Sequence, residues 1–408
     1  MAKRATKRGD ERTDLSGSRD LLICGASFAG LMVARQMAGT GAEVLIVDRY
    51  EIGERQTSAC AIPTTWLEAL GLLESEKQRF DSVLAHTAHG SVRLEIPWTF
   101  STFDYRTLCD LLWQECDATF ETAKVNGRAE SEVDGQIAVE TDRGTVAAPL
   151  VVDALGWKRI LASGAHYQPP DAPLSRGLEV HPPPGGDEFE VWINRRYVPA
   201  GYGWSFPAGD EVRVGIGSFD PRFPVRETTD LLAEDIGVEA DGYQGNWIPH
   251  KLRPGTGDGV FFVGDSAGHC LPATAEGIRT AFYFGAALGT ELRAVHEGHQ
   301  TREQALAGYH QFNENHRSQF EKMLRFQRFL PKIHPRLVKP IMALVGRGRI
   351  GERVFNRYFE FASPEFARVL ARPQARQADG TPTRGMPLIS LISDETASGP
   401  EHRKRSGA

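Results

Sequence analysis

Apolar residues in this chain fall into short unbroken runs at two distant places, and alternate with polar residues between them. Leu21-Leu22-Ile23-Cys24 is the first run, consistent with a strand buried on both faces of a parallel sheet. Gly25-Ala26-Ser27-Phe28-Ala29-Gly30 follows at once, residues 31–38 read as a helix ended by Gly39 or Gly41, and 43–47 form a second strand closed by Asp48. Val260-Phe261-Phe262-Val263 is another buried run. Gly264-Asp265 ends it, 266–268 turn the chain, and a helix is predicted from near Glu276 toward Leu288. In the middle, 188–193 and 211–216 alternate as antiparallel strands do, with a Pro-Gly turn at 182–186 just ahead of the first. From Thr301 to about Ala371 the pattern turns helical, and Pro331, Pro335 and Pro340 are expected to break it into short pieces.

Strand, glycine turn, helix, strand and acid stand in the order of a dinucleotide-binding unit. Gly25 permits the tight turn off the strand, and Gly30 lets the helix approach the sheet. The helix start, with Phe28 and Ala29, aims backbone N–H groups at a pyrophosphate. The middle glycine of the usual pattern is Ser27, whose hydroxyl is small enough to stay and able to bond a phosphate oxygen. Asp48, with Arg49 beside it, is placed for the ribose hydroxyls of an adenosine. The second turn carries Asp265 at a strand end, where a carboxylate suits a ribityl or ribose hydroxyl. The helix behind it aims its N-terminus at the ring end of a flavin, where negative charge gathers on reduction. Two such turns make FAD the expected cofactor. A literal GxGxxG at 346–351 is rejected, because no strand precedes it and no strand and acid follow it.

Composition narrows the class. A net charge of -6 argues against a nucleic-acid binder. The five cysteines, Cys24, Cys60, Cys109, Cys116 and Cys270, are odd in number and never at CxxC spacing, which fits a reducing compartment and neither a disulfide framework nor a zinc site. His86 and His89 are expected to be surface or packed residues, and no metal is expected. Residues 1–19 are polar and basic without the apolar core of a signal peptide, and no run is long enough to span a bilayer. A cytoplasmic protein with loose tails is expected. Residues 324–345 mix apolar positions with Arg325, Arg328, Lys332, Arg336 and Lys339, a pattern that fits a helical cap on the core or a segment lying on a membrane surface.

Four stretches resemble the geranylgeranyl reductase branch of the FAD-dependent oxidoreductases, relatives of aromatic hydroxylases and flavin halogenases. They are the N-terminal turn with Asp48, Val151-Val152-Asp153-Ala154-Leu155-Gly156, Gly201-Tyr202-Gly203-Trp204-Ser205-Phe206-Pro207 with the trailing Gly215 and Gly217, and the segment 264–285 with Gly268, Pro272, Glu276, Gly277 and Ile278. The resemblance spans about 19–290. It departs at Ala61 and Ile62, which replace glycines after Cys60, and at Ala275, where a glycine usually precedes the glutamate.

The resemblance implies an α/β fold. A Rossmann-like FAD-binding domain of the glutathione-reductase type (19–72, 99–165 and 247–300) is interleaved with an antiparallel-sheet substrate domain (73–98 and 166–246). A helical region (301–375) follows, with tails at 1–18 and 376–408. It implies FAD contacts for Asp153, Gly156 and Arg106, and a substrate-side place for Cys60. Tyr202 and Trp204 alternate along one strand and so face the same side, as core packing or as an aromatic wall above the flavin. The implied activity is reduction of C=C bonds in an isoprenoid or similar apolar substrate. NAD(P)H would bind only transiently, since one dinucleotide site is present. A monooxygenase that captures oxygen on reduced flavin, and an electron-transfer partner without its own substrate, are the alternatives.

Overall fold

The computed structural model describes residues 13–129, 136–167, 174–346 and 348–366. The predicted tail at 376–408 lies outside them. The chain opens with β1 (Leu21–Cys24), α1 (Phe28–Met37) and β2 (Val44–Asp48), then β3 (Ala61–Pro63), α2 (Thr64–Leu70) and the long hairpin β4 (Glu76–Thr87) and β5 (Gly90–Phe103). It returns through α3 (Tyr105–Gln114), β6 (Thr119–Thr122), β7 (Val125–Arg128), β8 (Ile137–Thr141), β9 (Gly144–Ala148) and β10 (Leu150–Asp153). β11 (Leu174–Val180), β12 (Glu190–Ile193), β13 (Gly201–Ala208), β14 (Glu211–Ser218), α4 (Val225–Asp235) and β15 (Gln244–Pro249) follow. β16 (Thr256–Gly257), β17 (Val260–Phe262) and α5 (Ile278–His296) lead into α6 (Arg302–Asn315), α7 (Arg317–Phe329), α8 (Pro335–Val345) and α9 (Gly348–Glu360).

The short apolar runs form one sheet in the order β16-β17-β10-β1-β2-β6, parallel except for β16. Register aligns their ends: Cys24 pairs with both Val47 and Asp153, and Asp153 with Phe262. The Gly25 and Gly264 turns therefore leave the same edge, separated by one strand. At about 4.8 Å per strand they lie roughly 10 Å apart, within the span of one dinucleotide. The alternating segments build the second sheet, β15-β11-β14-β13-β12-β4-β5-β3, antiparallel except where β12 meets β4. β7, β8 and β9 form a small third sheet.

Helix α5 packs on α1 because Gly285 and Gly289 sit against it. A Cβ at Gly285 would lie 3.0 Å from the Ala29 carbonyl oxygen, and one at Gly289 2.5 Å from Gln36 Cβ. Three expectations need correction. Residues 13–18 are not a loose tail: Leu15 N–H donates to the Arg143 carbonyl at 2.6 Å, Arg143 Nε donates to the Thr13 carbonyl, and Leu15 is buried. Pro340 does not break its helix but sits within α8, where only one backbone donor is lost. The helix expected near Glu276 starts at Ile278, after Ala273 and Ala275 in the left-handed region.

The late GxGxxG is a helix junction. A Cβ at Gly351 would lie 2.4 Å from the Val345 carbonyl oxygen, and one at Gly346 2.2 Å from a Leu94 methyl. These glycines let α8 and α9 close on each other and on β5.

Candidate functional site

The common edge of the parallel sheet opens into a cavity of about 1080 Å³ that continues between the antiparallel sheet and helices α7–α9. Its first end is polar. Residues 26–29 line it at the start of α1, whose N-cap Ser27 makes no side-chain capping bond, so the leading N–H groups are left to the cavity. The Ser27 hydroxyl instead lies 3.1 Å from the Tyr105 hydroxyl. Asp48 also lines the cavity, and its carboxylate accepts from the Ala26 N–H at 2.8 Å and the Tyr50 N–H at 3.1 Å. Burial raises its pKa against those hydrogen bonds. Arg49 and Arg55 stack on the Tyr50 ring at this rim.

Glycine is required at two places here. Gly25 has φ +116, and a Cβ would lie 2.3 Å from the Ala154 carbonyl oxygen. A Cβ at Gly30 would lie 1.9 Å from the Gly25 carbonyl oxygen. Neither residue lines the cavity. Both shape the turn that does.

The second turn reaches the same space. Gly264, Asp265, Gly277 and Ile278 line the cavity, and Gly264 is so near α1 that a Cβ would lie 3.1 Å from Ala29 Cβ. Among the described residues no donor reaches the Asp265 carboxylate, and burial alone pushes its pKa up to about 6. A desolvated carboxylate without a partner is costly unless something fills the space before it. The start of α5 carries no side-chain cap either. These features fit the hydroxyl-rich chain and ring of a flavin.

Because Asp265 holds its proton in the folded chain at pH values where the unfolded chain has lost it, the contribution of this carboxyl to the stability of the ligand-free protein grows as pH falls through about 6 toward 4. The melting temperature of the parent relative to Asp265→Asn is expected to rise from pH 7 to pH 5, the comparison cancelling His250, His269 and His316, whose pKa values burial lowers and which pull the other way. Parallel slopes for the two proteins would contradict the assignment.

Other expected cofactor residues are placed differently. Gly156 lines the cavity, but Asp153 does not. Asp153 is fully buried and accepts from Ser266 Oγ at 2.6 Å, Leu161 N–H at 2.9 Å and Leu155 N–H at 3.0 Å. It ties the end of β10 to the second turn. Arg106 packs its backbone beside Gly53 and does not line the cavity, where its neighbour Tyr105 stands instead. Gly268 and Pro272 also lie outside the lining; Gly268, at φ +68, turns the chain where a Cβ would lie 2.1 Å from the Lys251 carbonyl oxygen. Glu276 lines the cavity with its carboxylate already engaged, by Arg279 Nε and Nη2, each at 2.7 Å, and by the Tyr358 hydroxyl of α9.

Ala275 has φ +53, which explains why glycine usually stands there. Ala275→Gly is expected to stabilise the chain by up to about 1 kcal/mol, read from urea unfolding. A loss of stability would show that the methyl group makes a compensating contact.

The far end of the cavity is apolar. Tyr202, Trp204 and Phe206 share one face of β13 and line it, and Phe206 stacks on Phe189 at 3.9 Å. The Tyr202 hydroxyl donates to the Thr274 carbonyl at 2.5 Å, which binds this wall to the second turn. Trp204 Nε1 donates to Glu179 at 3.1 Å. A Cβ at Gly215 would lie 2.4 Å from Trp204 Cζ2, and one at Gly217 3.3 Å from Cζ3. The trailing glycines therefore make room for the indole, a reason the sequence pattern alone does not supply. Cys60 lines the cavity with φ +50, and burial raises its thiol pKa.

The helical cap that the pattern of 324–345 allowed is present, and together with α9 it roofs the cavity, a role the pattern did not predict. Met342, Val345, Phe355 and Phe359 of α8 and α9 close the cavity from above. The outward signal was the amphipathic run, whose inner face could not be assigned without its partner sheet. His269, one residue past the glycine of the turn, does not line the cavity; its Nδ1 accepts from the Gly264 N–H, its Nε2 bonds Asn313 Oδ1 at 2.8 Å, and burial pushes its pKa down to about 3.

No family model matches the chain. It is distantly homologous to digeranylgeranylglycerophospholipid reductases. Reductase 3 of Methanosphaera stadtmanae is 24% identical over 333 residues, covering 73% of this chain and 83% of that protein. Reductase 2 of Methanothermobacter thermautotrophicus is 26% identical over 294 residues, covering 64% and 74%. Among solved structures, the geranylgeranyl bacteriochlorophyll reductase-like protein of Thermoplasma acidophilum superposes with a TM-score of 0.73 at 17% identity, over 87% of this chain and 99% of that one. A probable FAD-dependent monooxygenase of Pseudomonas aeruginosa, PqsL, follows the same fold with a TM-score of 0.59 at 17% identity, over 84% and 100%. These similarities make the chain a distant relative of the digeranylgeranylglycerophospholipid reductases and give it the mixed α/β fold its sequence implies.

Proposed function

We propose that the protein is an FAD-dependent reductase of carbon–carbon double bonds in an apolar, isoprenoid-like substrate. The observation that carries this reading is one cavity with two unlike ends. Two backbone turns and the unpartnered Asp265 border the polar end, and aromatic and aliphatic side chains border the other.

The α1 N-terminus and residues 26–29 would hold the pyrophosphate, Asp48 the adenosine ribose, and Asp265 with the start of α5 the flavin half. The residues of this cavity would hold FAD with its ring toward the apolar end. There the cofactor, when bound and reduced, would supply hydride chemistry, and the chain would have to deliver the balancing proton to the second carbon of the double bond. Tyr202 and Trp204 would orient the chain against the ring, and the roof helices would keep water from it. Tyr202 and Cys60 line the cavity and burial raises both of their pKa values, so each carries a proton at physiological pH and is a candidate proton source. NAD(P)H, as a transient donor, would need no second dinucleotide fold.

The test is an anaerobic single turnover. Chemically reduced holoprotein is mixed with a geranylgeranyl lipid, and the product is weighed. A gain of two hydrogens per double bond, with flavin reoxidised in step, is expected. Product heavier by one oxygen after air is admitted would replace this reading with a monooxygenase, and flavin that reoxidises only with another redox protein would replace it with electron transfer.

A further inference from the structure

Helix α8 is apolar on two adjoining faces. Val338, Met342 and Val345 recur at helical spacing and line the cavity. Leu337, Ile341 and Leu344 recur at the same spacing one step round and point outward, and no residue of the helix is buried. Neighbouring helices extend this outer face. Phe326, Phe329, Ile350 and Val354 join those three as large apolar side chains, each between 40% and 59% exposed. Of the nine exposed large apolar side chains among the described residues, only Leu73 and Tyr167 lie elsewhere. A concentrated patch of this kind marks an interaction surface.

Its charge selects the partner. Arg325, Arg328, Lys332, Arg336, Arg349 and Arg353 are exposed around the patch, and among the described residues no carboxylate pairs with them. The chain as a whole is anionic, at -6, so this cationic rim runs against its average. A second copy meeting the patch across a two-fold axis would bring like charges together. Residues 367–408, which follow α9, also hold more Lys and Arg than Asp and Glu. Among the described residues no helix is long and apolar enough to cross a membrane. An apolar strip with a cationic rim suits a helix pair lying in the headgroup region of an anionic bilayer.

We propose that the outer face of α7–α9 docks the protein on an anionic lipid surface, and that the cavity opens to the bilayer there. Phe326 and Ile341 belong both to the exposed patch and to the cavity wall, so the opening lies inside the docking face. This goes beyond the redox reading, since docking requires no turnover. Joined to it, the geometry lets an apolar chain pass from bilayer to cavity without crossing water.

Flotation of the full-length FAD-loaded protein with vesicles tests this. Binding to phosphatidylcholine vesicles containing phosphatidylglycerol is expected, with little binding to phosphatidylcholine alone, and loss of binding as salt is raised. The triple variant Arg325→Glu/Arg336→Glu/Arg349→Glu is expected to weaken binding by at least about tenfold, since each cation near an anionic surface is worth roughly fivefold. Leu337→Glu/Leu344→Glu is expected to abolish it. None of these five side chains lines the cavity, so flavin content should stay that of the parent and certify folding. Three results would overturn the proposal: no binding of the parent to anionic vesicles, binding that neither variant changes, or a dimer that Leu337→Glu/Leu344→Glu converts to monomer. None of them bears on the flavin reading, which turnover in detergent tests separately.

Discussion

Asp265→Ala is expected to bind FAD ten- to a hundred-fold more weakly than the parent while melting higher as the flavin-free protein. The two effects share one cause. No donor among the described residues pairs with the Asp265 carboxylate, and burial lifts its pKa to about 6. Removing it frees the empty protein of a desolvated charge, which costs stability wherever no donor compensates it. With flavin present, the same change deletes a hydrogen bond to a charged group, worth about 1.5–3 kcal/mol. A carboxylate with a purely structural role would move both quantities down together. Fluorescence titration of FAD and a thermal melt of the flavin-free variant give the two readings. Parallel losses, or unchanged affinity, would remove Asp265 from the site.

Gly30→Ala is expected to have the largest effect on folding, about 3 kcal/mol or more, and to abolish flavin binding. One methyl group would lie 1.9 Å from the Gly25 carbonyl oxygen, and the offended atom is backbone. No rotamer change relieves such a contact. Either α1 lifts from the sheet or the Gly25 turn opens, and both displace the N–H groups at the start of α1. Gly25 itself has φ +116 and faces the Ala154 carbonyl, so it cannot yield. Urea unfolding of Gly30→Ala beside a control at Gly127, where a Cβ would meet nothing within 4 Å and the backbone is outside the left-handed region, isolates the contact from the general cost of replacing glycine. Equal effects at the two positions would contradict it.

The sequence disclosed what backbone geometry dictates locally. Leu21–Cys24 and Val260–Phe262 are buried strands because their apolar runs are short and unbroken. Gly25 and Gly30 announce a turn that no other residue can make, and Tyr202 and Trp204 share a face because a strand has period two. What it concealed depends on partners far along the chain. Asp153 reads as a cofactor residue until Ser266, 113 positions away, is found on its carboxylate. Glu276 looks free in sequence, but Tyr358 arrives from α9 to share it with Arg279. Arg106 sits one position from Tyr105 on the same helix, and a turn of 100° decides which of them meets the cavity. The inner face of α8 is another case, since a helix apolar on two sides does not say which side is roof.

We propose that both turns grip one cofactor, the first its adenylate half and the second its flavin half. Comparing FAD with FMN on the flavin-free protein tests this most directly, because FMN lacks the adenosine and one phosphate and so offers nothing to Asp48 or the start of α1. One FAD per chain, bound at least about a hundredfold more tightly than FMN, is the predicted result, a difference of about 3 kcal/mol. FMN binding as tightly as FAD, or neither binding, would contradict the account.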